Sequence, residues 1–251
     1  YKQRNSLSAV IRVVQFALPD PFALHIPTSL IDLSKAKKGM VLVTGPAGSG
    51  KSTTLACMID QINRNRNTHI ITIEDPIEYL HSHQKSIVSQ REVYHDTLDY
   101  VSALRAALRE APEVILVGEM RDLETIETAI TAAETGHLIL SSLHTVGVAN
   151  TIDRIIDVFP STQQQQIRVQ LSMVLNAVVS QQLLPSVDGK MIPVFEVMIC
   201  NQAIRTLIRE GKTHQIDNVI ASQKQVGMIT MDDAIVELYK QGKISQETAL
   251  M

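Results

Sequence analysis

Gly45-Pro46-Ala47-Gly48-Ser49-Gly50-Lys51-Ser52 fits the spacing G-x-x-x-x-G-K-[ST], and residues of these types at that spacing suit the cradling of a polyphosphate. Glycines at 45, 48 and 50 let the backbone turn with its N–H groups inward, so that loop and following helix N-terminus together form an anion site. Lys51 is then expected to reach the β- and γ-phosphates as a point charge and the Ser52 hydroxyl to ligate Mg²⁺, with Thr53 following in the first helical turn. Four fixed positions recur by accident in a chain of this length on the order of once in a hundred. The setting narrows this further. Met40 to Thr44 reads as a buried strand, and Leu55, Met58, Ile59 and Ile62 place an apolar stripe on a helix just beyond the loop.

Turnover of a bound nucleotide also needs carboxylates that hold the cation and orient water. Val114-Ile115-Leu116-Val117-Gly118-Glu119 is an apolar strand ending in an acid. Gly118 stands where an Asp is common, which casts Glu119 as the water-orienting base and leaves the cation short of a ligand. Ile73-Glu74-Asp75-Pro76-Ile77-Glu78, a second strand ending in carboxylates, is expected to supply it, with Glu74 as metal ligand and catalytic group. A charged turn is the plainer reading of the same residues. His137 and His144 bracket the run Leu138 to Leu143. At the strand's C-terminal end, His144 is expected to sense the γ-phosphate through a hydrogen bond. For His137, a sensor and a satisfied structural histidine both stand.

The elements that must position these groups read as α/β. Val41 to Val43, Ile70 to Ile73, Val114 to Val117 and Leu138 to Leu140 are continuously apolar, the mark of a mainly parallel sheet covered by helices on both faces. Asp122 to Gly136 reads as a helix with an acidic N-cap, a buried stripe at Leu123, Ile126, Ile130 and Ala133, and a glycine stop. Ile167, Leu171, Val174 and Val178 share one face of a long helix expected to end before Pro185, its Gln163 to Gln166 run a solvated first turn. Met191 to Ile199 reads as one more strand, and three or four short amphipathic helices follow Asn201. Pro19, Pro21 and Pro27 mark a linker. The expected organisation is residues 1–30 as the end of one module plus linker, 31–200 as the catalytic domain and 201–251 as a helical subdomain.

With 45% hydrophobic and 20% charged residues over a length of 251, the chain has the composition of a globular protein with an ample core. A formal charge of −3 argues against direct, nonspecific nucleic-acid binding, which draws on a basic field. No apolar run approaches the roughly 20 residues that span a bilayer, so membrane association is expected to run through a partner. Cys57 and Cys200 lie far apart and read as buried thiols in a reducing compartment. The first residue is Tyr1, and residues upstream of it are expected.

Together these stretches resemble the PilT-type retraction ATPases of bacterial type IV pili, in the secretion-ATPase superfamily. The resemblance rests on the phosphate loop through Thr53, on Ile73 to Glu78 as an "Asp box", and on Gly118-Glu119-Met120-Arg121-Asp122 as a Walker B segment. Gly136-His137, Leu143-His144-Thr145 as a "His box", and Ala203-Ile204-Arg205-Thr206-Leu207-Ile208-Arg209-Glu210, a motif tied to retraction, complete it. It implies a RecA-like P-loop ATPase core preceded by a PAS-like domain, of which Tyr1 to about Val14 would be the last strand. It also implies ATP and Mg²⁺ as ligands, a homo-hexameric ring with ATP between protomers, and a pilus platform protein of the inner membrane as partner. The place implied is the cytoplasmic face of that membrane. Ala47, Ala111, Glu113 and Ser141-Ser142 depart from the family pattern without touching its catalytic logic. His95 stands where the family often carries Arg, which leaves Arg91, Arg105 and Arg109 as the arginines to supply a transition-state cation. A pilus-assembly or type II secretion ATPase shares most of these motifs but commonly carries a four-cysteine zinc element. A RecA-type nucleic-acid translocase and a ring protein that binds nucleotide without turnover are the other readings.

Overall fold

The structure, a computed structural model, describes residues 1–11 and 18–250. Its centre is a seven-stranded sheet in the order β5-β4-β6-β7-β3-β8-β9. In chain order the elements begin with β1 (Lys2–Gln3), β2 (Ser6–Leu7), α1 (Thr28–Asp32), β3 (Gly39–Thr44), α2 (Lys51–Asn65), β4 (His69–Glu74), β5 (Ile87–Glu92) and α3 (Tyr100–Ala107). β6 (Val114–Val117), α4 (Leu123–Glu134), β7 (Leu138–Leu143), α5 (Val148–Asp157), α6 (Ser161–Val174), β8 (Leu175–Pro185) and β9 (Met191–Ile199) complete the layered part. The short helices α7 (Gln202–Glu210), α8 (Ile216–Ser222), α9 (Met231–Lys240) and α10 (Gln246–Ala249) follow. Within the seven-stranded sheet all neighbours pair in parallel except β8 with β9.

Continuous apolarity has its expected cause. In β3, Val41 and Val43 face α1 and α2, packing with Leu55, Met58, Ile59 and Ile62. Met40 and Leu42 face the opposite layer with residues of α3 to α8. Both sides of the strand are therefore dry, as crossover connections require. Asp122 accepts from the Thr125 N–H at 2.9 Å as N-cap of α4, and Gly136 takes a positive φ of 108° beyond its end, as read from the sequence.

Register brings the functional ends together. Thr44 pairs with Leu143, Ile73 with Val117, and Val117 with Ser141. The phosphate loop, Glu74, Glu119 and His144 thus leave the sheet along one edge, the carboxyl ends of its strands, where open α/β sheets bind ligands.

Two expectations change. The long helix through Val178 ends at Val174, and residues 175–185 form β8 between β3 and β9. Val178 is buried on both readings, but Leu175-Asn176-Ala177-Val178-Val179 finds sheet partners on either side, and tertiary pairing overrides the helical spacing. The single strand expected from Tyr1 is a hairpin: Lys2 pairs with Leu7 and Gln3 with Ser6. Its turn takes positive φ at Arg4 and Asn5, 46° and 62°, the geometry of a tight hairpin. The rest of that call, to Val14, lies outside the described residues. The helical part after Asn201 is present as expected, and it packs on the sheet layer: Ile204, Ile208, Ile216 and Ile220 join the same buried cluster as α4 to α6. Leu30 of α1 is fully buried beneath the sheet.

Candidate active site

The phosphate loop is shaped by what surrounds its glycines. Gly45 has φ 140°, and a Cβ there would lie 2.1 Å from the Gln181 carbonyl oxygen. Gly50 has φ 90° as N-cap of α2, and a Cβ would lie 2.9 Å from Gln181 Nε2. The loop is thus pressed against β8, and only glycine fits at either point. Gln181 secures it further: its Oε1 accepts from Thr54 Oγ1 at 2.8 Å and its Nε2 donates to the Ser49 carbonyl at 2.7 Å. Gln181 is 3% exposed, so both bonds are made away from water.

Lys51 Nζ donates to the carbonyl oxygens of Gly45 and Pro46 at 3.0 and 2.9 Å and lies 3.5 Å from His144 Nδ1. Burial lowers its pKa, against the nearby charges of Glu119 and Glu78, which favour the ammonium. On the far side of His144, Nε2 lies 3.3 Å from Glu119 Oε1, and Arg121 meets Glu119 Oε2 at 2.7 Å. Burial acts to raise the Glu119 carboxyl, but the bonds and charges of Arg121 and His144 outweigh it and hold the group below its ordinary range. An ionised carboxylate is thereby poised across the cleft from the phosphate loop, as a water-orienting base requires.

Glu74 meets Glu119 in one cavity of about 470 Å³, which Ser52, Asp75 and Glu78 also line. Burial raises Glu74, opposed by hydrogen bonds from Thr72 and Gln90; both reach Oε1, at 2.6 and 3.2 Å. The exposed Ser52 and a half-buried carboxylate at Glu74 in the same cavity are oxygen donors of the kind Mg²⁺ takes while it keeps several waters. The glycine at 118 is explained by space. A Cβ there would lie 3.1 Å from the Ile73 carbonyl oxygen, 3.2 Å from Tyr100 Oη and 3.3 Å from Glu74 Cα.

Other expected residues lie elsewhere. His137 stands at the opposite end of β7, its Nδ1 2.9 Å from the Ala132 carbonyl oxygen, and it does not line the cleft of its own protomer. Arg91 pairs with Glu110 at 2.8 Å and Arg105 with Glu124 at 2.7 Å; Arg109 is exposed. None of the three lines the cavity. In α7, Asn201 caps through the Ile204 N–H at 3.0 Å, and Ile204 and Ile208 are buried while Ala203 is exposed. Arg205 is not a merely solvated arginine: its guanidinium donates to the carbonyls of Ser172 and Met173, the latter at 2.9 Å, closing the C-terminus of α6. Thr206 bonds back to Gln202, Arg209 to Thr206, and Glu210 pairs with Lys212.

Four contributors were not singled out from sequence. Gln181 is one, and a polar residue inside a buried run is the signal that marks it. Arg121 orients Glu119 from two residues away. Tyr79 Oη lies 2.9 Å from Thr53 Oγ1, and Tyr100 crowds Gly118; neither carries a sequence signal of its own.

Residues 27–248 match the family described as "Type II/IV secretion system protein". The chain is 49% identical over 243 residues to the "Twitching motility protein" of Neisseria gonorrhoeae, covering 96% of this chain and 65% of that one. It is 47% identical over 249 residues to the "Type IV pilus retractation ATPase PilT" of Pseudomonas aeruginosa, covering 99% and 72%. It superposes on a crystal structure of "the Pilus Retraction Motor PilT and Bound ADP" with a TM-score of 0.93 at 51% identity, covering 99% of this chain and 71% of that one. It thus spans just under two thirds of the gonococcal protein. The matched span holds both the phosphate loop and the carboxylates that face it, and the chain belongs to the type II/IV secretion system protein family, in its PilT-like group.

Proposed function

We propose that this chain is the motor part of an ATPase that hydrolyses ATP to power retraction of type IV pili and so twitching motility. The observation that carries the reading is the line Lys51–His144–Glu119–Arg121, at 3.5, 3.3 and 2.7 Å, which joins a phosphate loop to an ionised base. Lys51 leaves its loop carbonyls for the β- and γ-phosphates, His144 moves from Lys51 to the γ-phosphate, and Glu119 takes a proton from the attacking water. Ser52 and Glu74 would hold Mg²⁺, whose chemistry is to neutralise charge on the β- and γ-oxygens. The likeness to retraction proteins runs over 96–99% of the chain, whereas a type II secretion protein E of Xanthomonas campestris matches 60% of it. That difference favours retraction over assembly or secretion.

The working unit in this reading is a homo-hexameric ring, with Arg91, Arg105, Arg109 and His137 available to a neighbour's cleft. It docks on a platform protein at the inner face of the cytoplasmic membrane; no helix among the described residues is long and apolar enough to cross one. Residues 1–30 would end a PAS-like domain, 31–200 would be the RecA-like core, and 201–251 would carry the retraction motif. The test is Glu119→Gln: ATP binding is retained, and turnover falls by ~10²–10⁴-fold, the share of a positioned base. Lost binding or undiminished turnover overturns the assignment. A second readout is specific activity, which rises with protein concentration if neighbours complete the site.

A further inference from the structure

Strand alternation sets polar side chains on one face at the β5 edge of the sheet. Ile70 and Val88 pack against α2, so Thr72, Glu74 and Gln90, at alternate positions of β4 and β5, lie on that same face. Gln90 pairs in register with Thr72 and does not itself line the cleft. Its amide is fully used. Nε2 donates to Glu74 Oε1 at 3.2 Å and to the Tyr79 carbonyl oxygen at 2.9 Å, while Oε1 accepts from the His81 N–H at 2.8 Å. Turned over, the amide would set its NH₂ against an N–H and its oxygen against two acceptors, so one orientation is fixed. The Thr72 hydroxyl donates to the same Glu74 oxygen at 2.6 Å. The segment that Gln90 holds carries the chain from β4 to β5 across α2. Asn63 of α2 ties it beyond His81, its Nδ2 donating to the Ser82 carbonyl at 2.8 Å and its Oδ1 accepting from the Gln84 N–H at 3.1 Å. Before Tyr79, Glu92 Oε2 accepts from the Ile77 N–H at 2.9 Å. Between these ties Tyr79 meets Thr53 in the first turn of α2. Gln90 thus bonds both to a carboxylate on one wall of the cleft and to the segment that touches the other.

We propose that Gln90 is a positioning residue: from outside the cleft it fixes the Glu74 carboxylate relative to the phosphate-loop helix, and so sets the strength with which the site takes Mg²⁺ with its nucleotide. The proposal rests on the reading of Glu74 as a Mg²⁺ ligand. A carboxylate that serves a cation is itself held by hydrogen bonds, and loss of such an outer partner costs ~10–100-fold in metal affinity. Without Gln90 the Thr72 bond remains, but Glu74 loses its tie to the 77–81 segment, and with it the link to Thr53 and the helix that carries Ser52. A long side chain with one tether in place of two regains rotamer freedom, which binding of the cation must then take away.

The quantity that separates positioning from plain structure is the ratio of nucleotide affinities in Mg²⁺ and in EDTA, read on the whole chain with a fluorescent, non-hydrolysable ATP analogue. Gln90→Met keeps the length of the side chain and removes its three bonds. The ratio should fall by ~10–100-fold, while affinity in EDTA stays within about twofold of wild type, since the phosphate loop is untouched. In the nucleotide-free chain, exchange of the His81 amide should rise roughly tenfold as its acceptor is lost. Gln90→Asn keeps the amide chemistry but withdraws it by a methylene; its ratio should fall in the same direction, and it carries the test if Gln90→Met does not fold. A wild-type ratio in either folded variant, whether or not the affinities themselves change, overturns the proposal. Glu74→Gln should lose the ratio as well, and a wild-type ratio there would instead overturn the Mg²⁺ reading of Glu74 on which the proposal rests.

Discussion

Gly118→Ala is the most direct probe of how the acids are placed. The three atoms a Cβ would meet lie at 3.1, 3.2 and 3.3 Å, and two of them, the Ile73 oxygen and Glu74 Cα, are backbone of β4. That backbone is clamped: Ile73 and Glu74 pair with β5, and the Gly118 N–H donates to Ile73 at 2.8 Å. Only Tyr100 Oη belongs to a side chain that can give way. Overpacking against such neighbours costs ~1–3 kcal/mol, which in a domain of this size lowers the thermal midpoint by about 2–12 °C. Turnover should fall further than stability, because the displaced atom is the Cα of Glu74. Tyr100→Phe in the same background removes one contact of three and recovers less than half of the loss. Gly118→Asp, which restores the acid common at this position, should be worse than Ala, since it adds a carboxylate beside Glu74 and Glu119. Circular dichroism melts and steady-state ATP turnover read both effects. A Gly118→Ala midpoint within about 1 °C of wild type would refute the crowding argument.

Lys51→Ala should weaken nucleotide binding and abolish turnover, because Lys51 is the cation the loop itself places on the phosphates; titration with a fluorescent ADP analogue reads the first effect. Arg205→Ala leaves two C-terminal carbonyls of α6 without their donor and should cost ~1–3 kcal/mol, whereas Arg209→Ala should stay within about 0.5 kcal/mol; equal melting of the two variants would contradict the difference. Glu119 is held below the ordinary carboxyl value of 4.5, so its pairing with Arg121 stabilises the fold fully above that pH and is lost as pH falls through the lower folded value. The stability gap between wild type and Glu119→Gln should therefore be flat above pH 4.5 and shrink below it, as acid titration of the folded fraction would show.

The legible parts of this chain are those where one local rule suffices. The phosphate loop, its strand and α2 are a contiguous motif, and Asp122 with Gly136 brackets α4 by capping chemistry alone. Glu74, Glu119 and His144 were legible as strand-end residues, because parallel strands bring their carboxyl ends to one edge. Residues 175–185 were not, since Val178 continues a helical spacing until β3 and β9 offer it partners. β5 was missed for the opposite reason: at the edge of the sheet, Ile87-Val88-Ser89-Gln90-Arg91-Glu92 lacks an unbroken apolar run. The partners of Arg205 were not legible because the Ser172 and Met173 carbonyls become available only where α6 stops, and that stop was itself misplaced. The role of Gln181 depends on the register of β8 beside the phosphate loop, which no spacing within the strand expresses.

The charges of the cleft carry the case for a ring one step beyond resemblance. Among the described residues its lining includes the carboxylates of Glu74, Asp75, Glu78 and Glu119 but only Lys51 and Arg121 as fixed cations. Arg121 is already spent on Glu119, and Lys51 on its own loop carbonyls. A triphosphate entering this cleft meets a surplus of negative charge, and like charges brought out of water repel strongly. Mg²⁺ on Ser52 and Glu74 would offset part of it. The charge that develops on the γ-phosphate during transfer still needs a cation, worth ~10³–10⁵ in rate where an arginine supplies it. Arg91 and Arg105 are committed to Glu110 and Glu124 outside the cavity of their own protomer, while Arg109 is exposed. Such an arginine reaches the phosphate most simply from the next protomer of a ring, and that is why we place completion of the site between chains.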